Sequence, residues 1–408
     1  MDLRRVLALA TAVTIAACSA APKISLEIAP APAPLARTYA GFWDAALALD
    51  YETADGLAAT QPEREYARAL RELAEGRVDT AQGRLTELLA DRQAEPRARA
   101  LLAAVAKESA TVPEKAFPSR VDRSFVEALL EARRGERWHF GPEPARLLFE
   151  RGGSTTPRVP VRANGVGALM GIDTGAGLTV IGSDLAAASG AKRLGARTGA
   201  RDAHGEGVSA ELAIVTLDLG GIVIERHPVI VIDSARLRFR TAGAEITGFE
   251  GVLGWNALSA LRMTLDNARQ VVTFEKSPAT ARAGDLLWIG EPYVRARGSN
   301  GFPLTLFLDT GASHTALSTS VARAAGLGAG ERGKSLVMGA SGSRTIEVTV
   351  HRDASLYAGG SRIAFGEMQS VEPRSSGYAV RDGVLGADAL ARGTVVIDPA
   401  SREFLITP

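Results

Sequence analysis

One short motif occurs twice in this chain, and the duplication restricts the folds that the chain can adopt. Asp-Thr-Gly-Ala occupies 173–176 and 309–312, and an Asn-Gly pair begins nine residues before each aspartate. Downstream of each copy, Gly-Val-Leu-Gly recurs at 251–254 and 383–386. Because Asn-Gly is a strong signal for a hairpin turn, each aspartate is predicted to lie near the end of a returning strand.

The correspondence continues beyond the second motif in three further pairs: Asn256 with Asp388, Leu258 with Leu390, and Asp266 with Asp398. We therefore expect two lobes of the same build. Each lobe should contain a hairpin, the Asp-Thr-Gly-Ala loop, an intervening sheet, Gly-Val-Leu-Gly, a short helix and a last strand. Asp266 and Asp398 precede the terminal strands, so we interpret them as turn or capping residues.

The residues around each aspartate suit the presentation of a carboxylate at the tip of a tight loop. Gly175 and Gly311 allow the backbone to turn and to bring its N–H groups close to the carboxylate. The hydroxyls of Thr174 and Thr310 could hydrogen-bond to the facing loop. Two such loops that meet at a pseudo-twofold axis would bring their carboxyl groups within hydrogen-bonding distance.

Asp173 and Asp309 would then titrate as one unit. Two carboxylates that close cannot both ionise, so the pair shares one proton. The ionised member can act as a general base on a water molecule, and the protonated member can hydrogen-bond a scissile carbonyl and later help to protonate the leaving amine. This chemistry requires no metal, no cofactor and no nucleophilic side chain.

The paired motifs resemble those of the retropepsin-like aspartic proteases, in the bacterial form that carries both halves in one chain. The second copy, 306–315, fits the bacterial pattern closely, and the resemblance covers roughly 155–408. It implies a mainly β protein with two barrel-like lobes in a pepsin-like arrangement. It also implies that Asp173 and Asp309 are the catalytic aspartates, that their threonines interlock, and that Gly-x-Leu-Gly threads beneath each loop.

That family closes a β-hairpin flap over a bound peptide. Two segments lie where a flap belongs, between the two motifs of each lobe: 202–207, with His204 and Gly205, and 339–343, with Ser341 and Gly342. Glycines at such tips permit the opening that substrate entry needs. The alternative for each segment is an ordinary exposed hairpin turn. His204 is interpreted as a flap-tip or surface residue, because the sequence supplies no partners for a catalytic base or a ligand.

The first copy departs from the pattern at two positions. Gly177 stands where the second copy has Ser313, and Gly171 stands where it has Phe307. Neither change removes a carboxyl group or an interlocking threonine. We expect a less firmly held first loop, which would alter the catalytic rate rather than the type of catalysis.

The N-terminus has the pattern of an export signal. Arg4 and Arg5 precede an apolar run over 6–17, which is too short to span a bilayer. The run ends in Ile-Ala-Ala-Cys, which resembles the lipobox of bacterial lipoproteins, and Cys18 is the single cysteine of the chain. The resemblance implies cleavage before Cys18, its lipidation, and an anchor in the bacterial envelope facing the periplasm. Ser19 favours the outer membrane. A conventional cleaved signal peptide or a core cysteine is the alternative.

Two further regions separate the signal from the β-rich part. The stretch after Cys18 is rich in Ala and Pro and is predicted to be a semi-rigid tether. Beyond it, apolar residues at helical spacing on both sides of Gly76 predict a helical hairpin, and another helix is expected over 121–134. Pro62 and Pro96 are 34 residues apart, the tetratricopeptide (TPR) period, so the region is predicted to be TPR-like. A plain helical bundle is the alternative.

The predicted organisation is a signal peptide (1–17), a tether (18–36), a helical domain (37–135), a first protease lobe (145–278) and a second protease lobe (285–408).

The net charge of +1 lacks the basic excess expected of a nucleic-acid binder. One cysteine and five scattered histidines exclude the usual disulfide and zinc frameworks. The expected partners are a polypeptide substrate, the membrane through Cys18, and a protein bound by the helical domain. A monomer is expected, because one chain supplies both halves of the pair.

Three functions compete at this point. The first is an active endopeptidase that acts on exported or envelope polypeptides, held extended between the lobes. The second is a binding module, in which the helical domain recruits a partner and the lobes hold peptide with slow turnover or none. The third is a structural envelope lipoprotein whose lobes only provide a scaffold. The presence of both carboxylates favours the enzyme.

Overall fold

A computed structural model describes residues 24–108, 116–117, 120–151, 155–201, 206–241, 244–278 and 284–408. The chain is mainly β, with a helical region that precedes two β lobes. The predicted signal peptide and Cys18 lie outside the described residues, as do His204 and Gly205 at the first predicted flap tip.

Six helices form the helical region of the described chain: α1 (Phe42–Leu47), α2 (Tyr51–Leu57), α3 (Gln61–Ala74), α4 (Val78–Glu87), α5 (Glu95–Val105) and α6 (Arg120–Arg134). The start of α3 is fixed by a capping box, because Thr60 and Glu63 each accept a hydrogen bond from the other's backbone N–H. Gly76, with φ of +80°, ends the first helix of the α3–α4 hairpin. The predicted helical hairpin and the helix over 121–134 are therefore confirmed.

Pro62 and Pro96 occupy the first turns of α3 and α5, where proline's missing N–H costs nothing. The two prolines thus hold equivalent positions in successive helical units. The TPR character of the region stays a prediction.

Lobe 1 is built on a sheet of eight strands in the order β2-β9-β6-β12-β5-β4-β8-β7. Its strands are β2 (Arg137–Phe140), β4 (Arg158–Ala163), β5 (Val166–Ile172), β6 (Val180–Gly182), β7 (Lys192–Arg201), β8 (Gly207–Asp218), β9 (Ile222–Ile232) and β12 (Gly251–Leu253). The lobe also contains α7 (Ser183–Ala188), α8 (Trp255–Leu258) and a separate pair of strands, β10 (Arg238–Thr241) and β11 (Ala244–Gly248).

Lobe 2 repeats this order of strands. Its sheet runs β1-β21-β18-β22-β17-β16-β20-β19, with β15 added beside β16. Its elements are β1 (Ile24–Glu27), β15 (Leu286–Trp288), β16 (Pro292–Gly298), β17 (Pro303–Asp309), β18 (Ala316–Ser318), α9 (Thr319–Ala322), β19 (Glu331–Gly339), β20 (Gly342–Ala358), β21 (Ser361–Val371) and β22 (Gly383–Gly386). In each lobe, the strand of the Gly-Val-Leu-Gly motif runs parallel to the strand that leads to the aspartate. The predicted duplication is therefore present in the fold.

A third sheet of five strands joins the lobes, in the order β24-β23-β13-β14-β3. Its strands are β3 (Ala145–Leu148), β13 (Leu261–Asp266), β14 (Val271–Lys276), β23 (Thr394–Asp398) and β24 (Glu403–Thr407). The antiparallel pairing of β13 with β23 connects the last strands of the two lobes. One apolar core runs through both lobes beneath it, so the lobes form one packed unit.

Two features differ from the sequence-based expectations. The short helix predicted after Gly-Val-Leu-Gly exists in lobe 1 as α8, but residues 387–390 of lobe 2 form a turn. The described part of the Ala- and Pro-rich segment lies along lobe 2, because β1 pairs antiparallel with β21. Arg37 then forms two hydrogen bonds, of 2.6 and 2.9 Å, with the buried carboxylate of Asp382.

The helical region packs directly on the lobes. Helix α6 contacts β7, β8 and β9 of lobe 1. A second apolar core contains buried residues of the helices, such as Leu70 and Phe125, together with Val208 of lobe 1 and Met338 of lobe 2. Of the helices that the structure describes, none has the length and apolarity to cross a bilayer.

The shared core predicts that a cavity in α6 destabilises the protein strongly. Phe125 is 0% exposed, so we expect Phe125→Ala to lower the free energy of unfolding by about 3–5 kcal/mol. Urea unfolding followed by circular dichroism measures the change. Glu127→Ala, at an exposed position of the same helix, serves as the control and should stay within about 0.5 kcal/mol of wild type. Equal destabilisation by both variants would contradict the shared core.

Candidate active site

The two predicted aspartates lie at equivalent ends of central strands. Asp173 directly follows β5, and its backbone N–H donates to the carbonyl of Leu253 at 3.0 Å. Asp309 is the last residue of β17 and is in register with Gly386 of the parallel strand β22. Each aspartate therefore leaves its sheet beside the Gly-Val-Leu-Gly motif of its own lobe.

The two loops hold their carboxylates with the same hydrogen bonds. In each loop, Oδ1 accepts from two backbone N–H groups: in Asp173 from Gly175 (2.9 Å) and Ala176 (3.0 Å), and in Asp309 from Gly311 (2.9 Å) and Ala312 (3.0 Å). Bonds of this kind favour the ionised form of a carboxyl group. They also fix both side chains in one orientation.

Each loop lies against the carboxyl group of the other. A Cβ atom on Gly175 would lie 2.5 Å from Cγ of Asp309, and one on Gly311 would lie 2.6 Å from Cγ of Asp173. No side chain fits at that distance, so glycine at both positions is required by the close approach of the two loops. The structure thus brings Asp173 and Asp309 together.

The threonines of the motif connect the loops in the way expected from the sequence. The hydroxyl of Thr310 accepts from the backbone N–H of Thr174 (2.9 Å) and donates to the carbonyl of Ile172 (2.7 Å). In return, the hydroxyl of Thr174 accepts from Thr310 N–H (3.0 Å) and donates to the carbonyl of Leu308 (2.8 Å). All four groups are buried, so each loop satisfies polar backbone atoms of the other lobe.

A second layer of polar contacts under the loops was missed by the sequence analysis. Thr179 donates through its N–H (2.7 Å) and its hydroxyl (3.0 Å) to Oδ1 of Asn256. In lobe 2, Thr315 makes the same two bonds, of 2.8 and 2.7 Å, with Oδ1 of Asp388. The signal was in the sequence: Thr179 and Thr315 recur with the same spacing as the Asp-Thr-Gly-Ala motifs, and their partners Asn256 and Asp388 also correspond between the lobes.

Burial and mutual repulsion control the ionisation of the dyad. Both aspartates are 0% exposed. Burial, followed by the charge of Asp309, raises the pKa of Asp173 well above its usual range. Burial also raises the pKa of Asp309, to about 7, while its loop N–H groups and the charge of Arg381 oppose this rise. The side chains of the two aspartates interact with each other through a hydrogen bond, and among the described residues neither Oδ2 atom has a partner outside the pair, so the pair is placed to share a proton.

An open cavity of about 110 Å³ lies beside Asp309 in lobe 2. Its lining includes Arg381 and, from the hairpin β19–β20, Ser335, Val337 and Ile346. The tip of this hairpin is the second predicted flap: Gly339 pairs with Gly342 across a two-residue turn formed by Ala340 and Ser341. The structure therefore brings this hairpin to one wall of the cavity beside the dyad.

The tip of the β19–β20 hairpin is attached to the other lobe. Arg236 of lobe 1 donates a hydrogen bond of 3.0 Å to the carbonyl of Ala340. In lobe 1, β7 and β8 form the matching hairpin, and its tip at 202–205 lies outside the described residues. The assignments of His204, Gly205, Ser341 and Gly342 to substrate binding stay predictions.

The helical region reaches the surroundings of the dyad at two points. A Cβ atom on Gly177 would lie 2.5 Å from Nζ of Lys107, whose pKa is lowered by burial. Gly177 stands where the second copy has Ser313, and the amine of Lys107 occupies the space that a side chain at 177 would need. In addition, Glu136 contacts Nδ1 of His227, whose Nε2 lies 3.1 Å from the hydroxyl of Thr179.

Comparison with known families agrees with this geometry. Residues 159–257 match the family model described as aspartyl protease, and residues 298–392 match the family described as gag-polyprotein aspartyl protease. The chain contains two aspartyl protease domains. No curated protein matches the chain.

The two aspartyl protease domains contain both Asp-Thr-Gly-Ala loops and both Gly-Val-Leu-Gly segments. The Gly-Val-Leu-Gly segments thread closely beneath the loops, because a Cβ atom on Gly254 or Gly386 would collide with the backbone of Leu178 or His314. In the part of the chain that the structure describes, no cluster of three His, Cys, Asp or Glu residues could hold a metal ion.

Removing one threonine hydroxyl is predicted to weaken the contact between the aspartyl protease domains. Thr310→Val keeps the shape of the side chain but leaves two buried backbone groups without their partner. We expect the free energy of unfolding to fall by about 1–3 kcal/mol for each such group. Thr310→Ser, which keeps a hydroxyl, should retain most of the stability. Urea unfolding of both variants checks this, and equal losses would contradict the role of the hydroxyl.

The raised pKa of Asp173 also predicts a pH-dependent effect on stability. A folded-state pKa above the unfolded value of about 3.9 stabilises the fold below about pH 4, and this stabilisation is lost as the pH rises through the folded-state pKa. Asp173→Asn cannot ionise. The variant should therefore match wild type near pH 4 and exceed its stability by at least about 1 kcal/mol at pH 8.

Unfolding curves recorded from pH 4 to pH 8 test this expectation. Asp184→Asn, at an exposed position, is the control and should follow the wild-type pH profile. A difference between Asp173→Asn and wild type that does not grow with pH would argue against a buried, proton-sharing pair.

Proposed function

We propose that this protein is an aspartic endopeptidase whose catalytic dyad is Asp173 and Asp309. The observation that carries the proposal is the mutual approach of the two loops, in which each glycine lies against the opposite carboxyl group. The match of both lobes to aspartyl protease families supports a protease function. The hydrogen bonds on both Oδ1 atoms leave the two Oδ2 atoms for chemistry.

In the proposed mechanism, the ionised carboxylate removes a proton from water while the water oxygen attacks the scissile carbonyl carbon. The protonated carboxyl group gives its proton to the carbonyl oxygen, so a neutral tetrahedral diol forms. The diol then returns one hydroxyl proton to the dyad, the C–N bond breaks, and the leaving amine takes the proton that came from water. The dyad ends with one proton, as it began.

The shape of the site favours an extended polypeptide as the substrate. The hairpin β19–β20 lies over lobe 2 next to the cavity that contains Asp309. A peptide strand beneath such a hairpin can pair its backbone with the strand edges and place alternate side chains in pockets. The same cavity would then receive a substrate side chain close to the scissile bond.

The proposed site of action is the bacterial envelope. The support comes from the sequence, in which a basic and apolar N-terminus ends in Ile-Ala-Ala-Cys18. We propose that the mature protein is lipid-anchored through Cys18, faces the periplasm and cleaves exported or envelope polypeptides. Gel mobility of the cellular protein, with and without Cys18→Ala, tests the lipid, because the variant would keep an uncleaved signal.

One observation favours a second candidate function, a peptide-binding module with slow turnover or none. The helical region packs closely on lobe 2: Cβ of Ala104 lies 2.8 Å from where a Cβ atom on Gly290 would be, and Cβ of Ala100 lies 3.2 Å from the same point at Gly377. Lys107 lies against the first catalytic loop. Helices packed this close to the dyad would slow the exchange of peptide and products.

Cleavage of a denatured protein mixture by the chain from Ser19 onward, between pH 3 and pH 8, tests the proposed function. We expect Asp173→Asn and Asp309→Asn each to lower the rate by at least about 10³-fold, because each removes one of the two proton-transfer groups. The chain offers a matched control. Asp266 also belongs to a duplicated aspartate pair, but it accepts from the backbone N–H of Arg269 in a turn, so Asp266→Asn should keep wild-type activity.

The outcomes separate the candidates. Cleavage that both dyad substitutions abolish supports the endopeptidase. Cleavage that neither substitution affects would exclude this dyad. Saturable peptide binding without cleavage would favour the binding module.

A further inference from the structure

The two lobes differ at the positions that flank the dyad. Arg381 stands two residues before Gly-Val-Leu-Gly in lobe 2, where lobe 1 has Phe249. Phe307 stands two residues before Asp309, where lobe 1 has Gly171 before its own aspartate. The two differences are linked in space.

In lobe 1, the ring of Phe249 fills the space beside β5. A Cβ atom on Gly171 would lie 2.9 Å from Cε1 of that ring. In lobe 2, the ring comes from Phe307 on β17, and the guanidinium of Arg381 lies over it, 3.9 Å from the ring centroid. An aromatic ring is thus kept in both lobes, and at these positions lobe 2 alone carries a charge.

Glu291 holds the guanidinium in place. Nη2 of Arg381 lies 2.6 Å from both carboxylate oxygens of Glu291, which is 7% exposed. The hydroxyl of Tyr293 donates to the same carboxylate at 2.8 Å. Burial and these partners act in opposite directions: burial alone would raise the pKa of Glu291, but Arg381, Tyr293 and the charge of Lys107 lower it below its usual range. The positions in lobe 1 that correspond to Glu291 and Tyr293 are Thr155 and Pro157, so lobe 1 does not repeat the ion pair there.

The Arg381 charge faces the dyad from one side. Arg381 and Asp309 line the same cavity. Phe307 and Asp309 lie two residues apart on β17, so their side chains share one face of the strand. The other charged or titratable groups that act on Arg381 are Glu291, Tyr293 and Tyr378. Three more line the cavity: His314, Glu372 and Arg374. From the helical region, Lys107 lies against the first loop at Gly177 and acts on Glu291.

The effect on the two carboxyl groups is unequal. The charge of Arg381 opposes the burial that raises the pKa of Asp309. At Asp173, the main charge effect is repulsion from Asp309, which adds to burial and raises the pKa further. Repulsion between the carboxyl groups acts on both of them, so it does not distinguish one from the other. The arginine lies in lobe 2 and therefore does distinguish them.

We propose that Arg381 is a positioning residue that breaks the symmetry of the dyad, so that Asp309 is the carboxylate and Asp173 holds the proton. This inference rests on the proposed function. In the attack step, Asp309 would take the proton from water, and Asp173 would give its proton to the carbonyl oxygen. Glu291 acts through Arg381, by holding the guanidinium beside the cavity.

An NMR titration of the full chain from Ser19 onward, labelled with ¹³C at the aspartate carboxyl carbon, tests the proposal without any substrate. Asp173→Asn leaves Asp309 as the single titrating member of the dyad, and Asp309→Asn leaves Asp173. Each background is measured with and without Arg381→Met, which removes the charge but keeps an unbranched chain over Phe307. The double variant Asp173→Asn/Asp309→Asn identifies the two resonances.

We expect Arg381→Met to raise the titration midpoint of Asp309 by at least about one pH unit, the lower end of the effect of a nearby opposite charge. The midpoint of Asp173 should move less than half as far. Arg381→Lys, which keeps a charge, should restore most of the Asp309 midpoint. Equal movement of both midpoints, or no movement, would overturn the proposal.

A second variant keeps the test decisive if Arg381→Met does not fold. Arg381→Gln removes the charge but keeps a polar end that can donate to Glu291, so the Asp309 midpoint should rise as for Arg381→Met; an unchanged or lowered midpoint would count against the proposal. Because the titration needs no cleavage, it tests the role of Arg381 independently of the proposed peptidase function. The expected shifts in a protein that cleaves no peptide would overturn only the proposed function, whereas active protein with equal shifts would overturn only the role of Arg381.

Discussion

The reciprocal hydrogen bonds between Thr174 and Thr310 are the interaction on which the rest of the structure depends. Each hydroxyl bonds to a backbone N–H of the opposite loop and to a carbonyl at the end of the opposite strand. Because these groups are buried, separating the lobes would leave polar atoms unpaired, which is costly. The bonds therefore hold the two carboxyl groups at one separation. The pairing of β13 with β23 supports the same arrangement from below.

The parts of the fold that could be predicted from the sequence are those in which a residue type is needed locally. Asn-Gly at 164–165 adopts positive φ at both residues, as its hairpin turn requires. Gly175 and Gly311 are needed because each loop lies against a carboxyl group. Such requirements depend on a few neighbouring residues, so they remain visible as a repeated motif. The order of strands then follows, because each lobe repeats the same chain path.

The parts that could not be predicted depend on contacts between distant segments that have no motif. Lys107 reaches Gly177 from the helical region, and Glu136 reaches His227 beneath the first loop. The Ala- and Pro-rich segment has the composition of a semi-rigid tether, yet β1 within it extends the sheet of lobe 2, and Arg37 directly after it is bound by Asp382. The composition of a segment predicts its local conformational preference. It does not predict that a sheet edge or a buried carboxylate elsewhere in the chain binds the segment.

Duplication provides two equal carboxyl groups, whereas hydrolysis by a shared proton needs two unequal ones. The inequality must come from positions at which the copies have diverged. Lobe 1 has Gly171 and Phe249 where lobe 2 has Phe307 and Arg381. Both lobes therefore keep an aromatic ring beside the strand, and lobe 2 gains a cation. The exchange preserves the packing that the fold needs. A sequence comparison shows it only as two separate mismatches, and its meaning depends on the two side chains being in contact. Divergence that keeps an aromatic ring in place can therefore change the electrostatics of a symmetric site without changing the hydrogen bonds of its two loops.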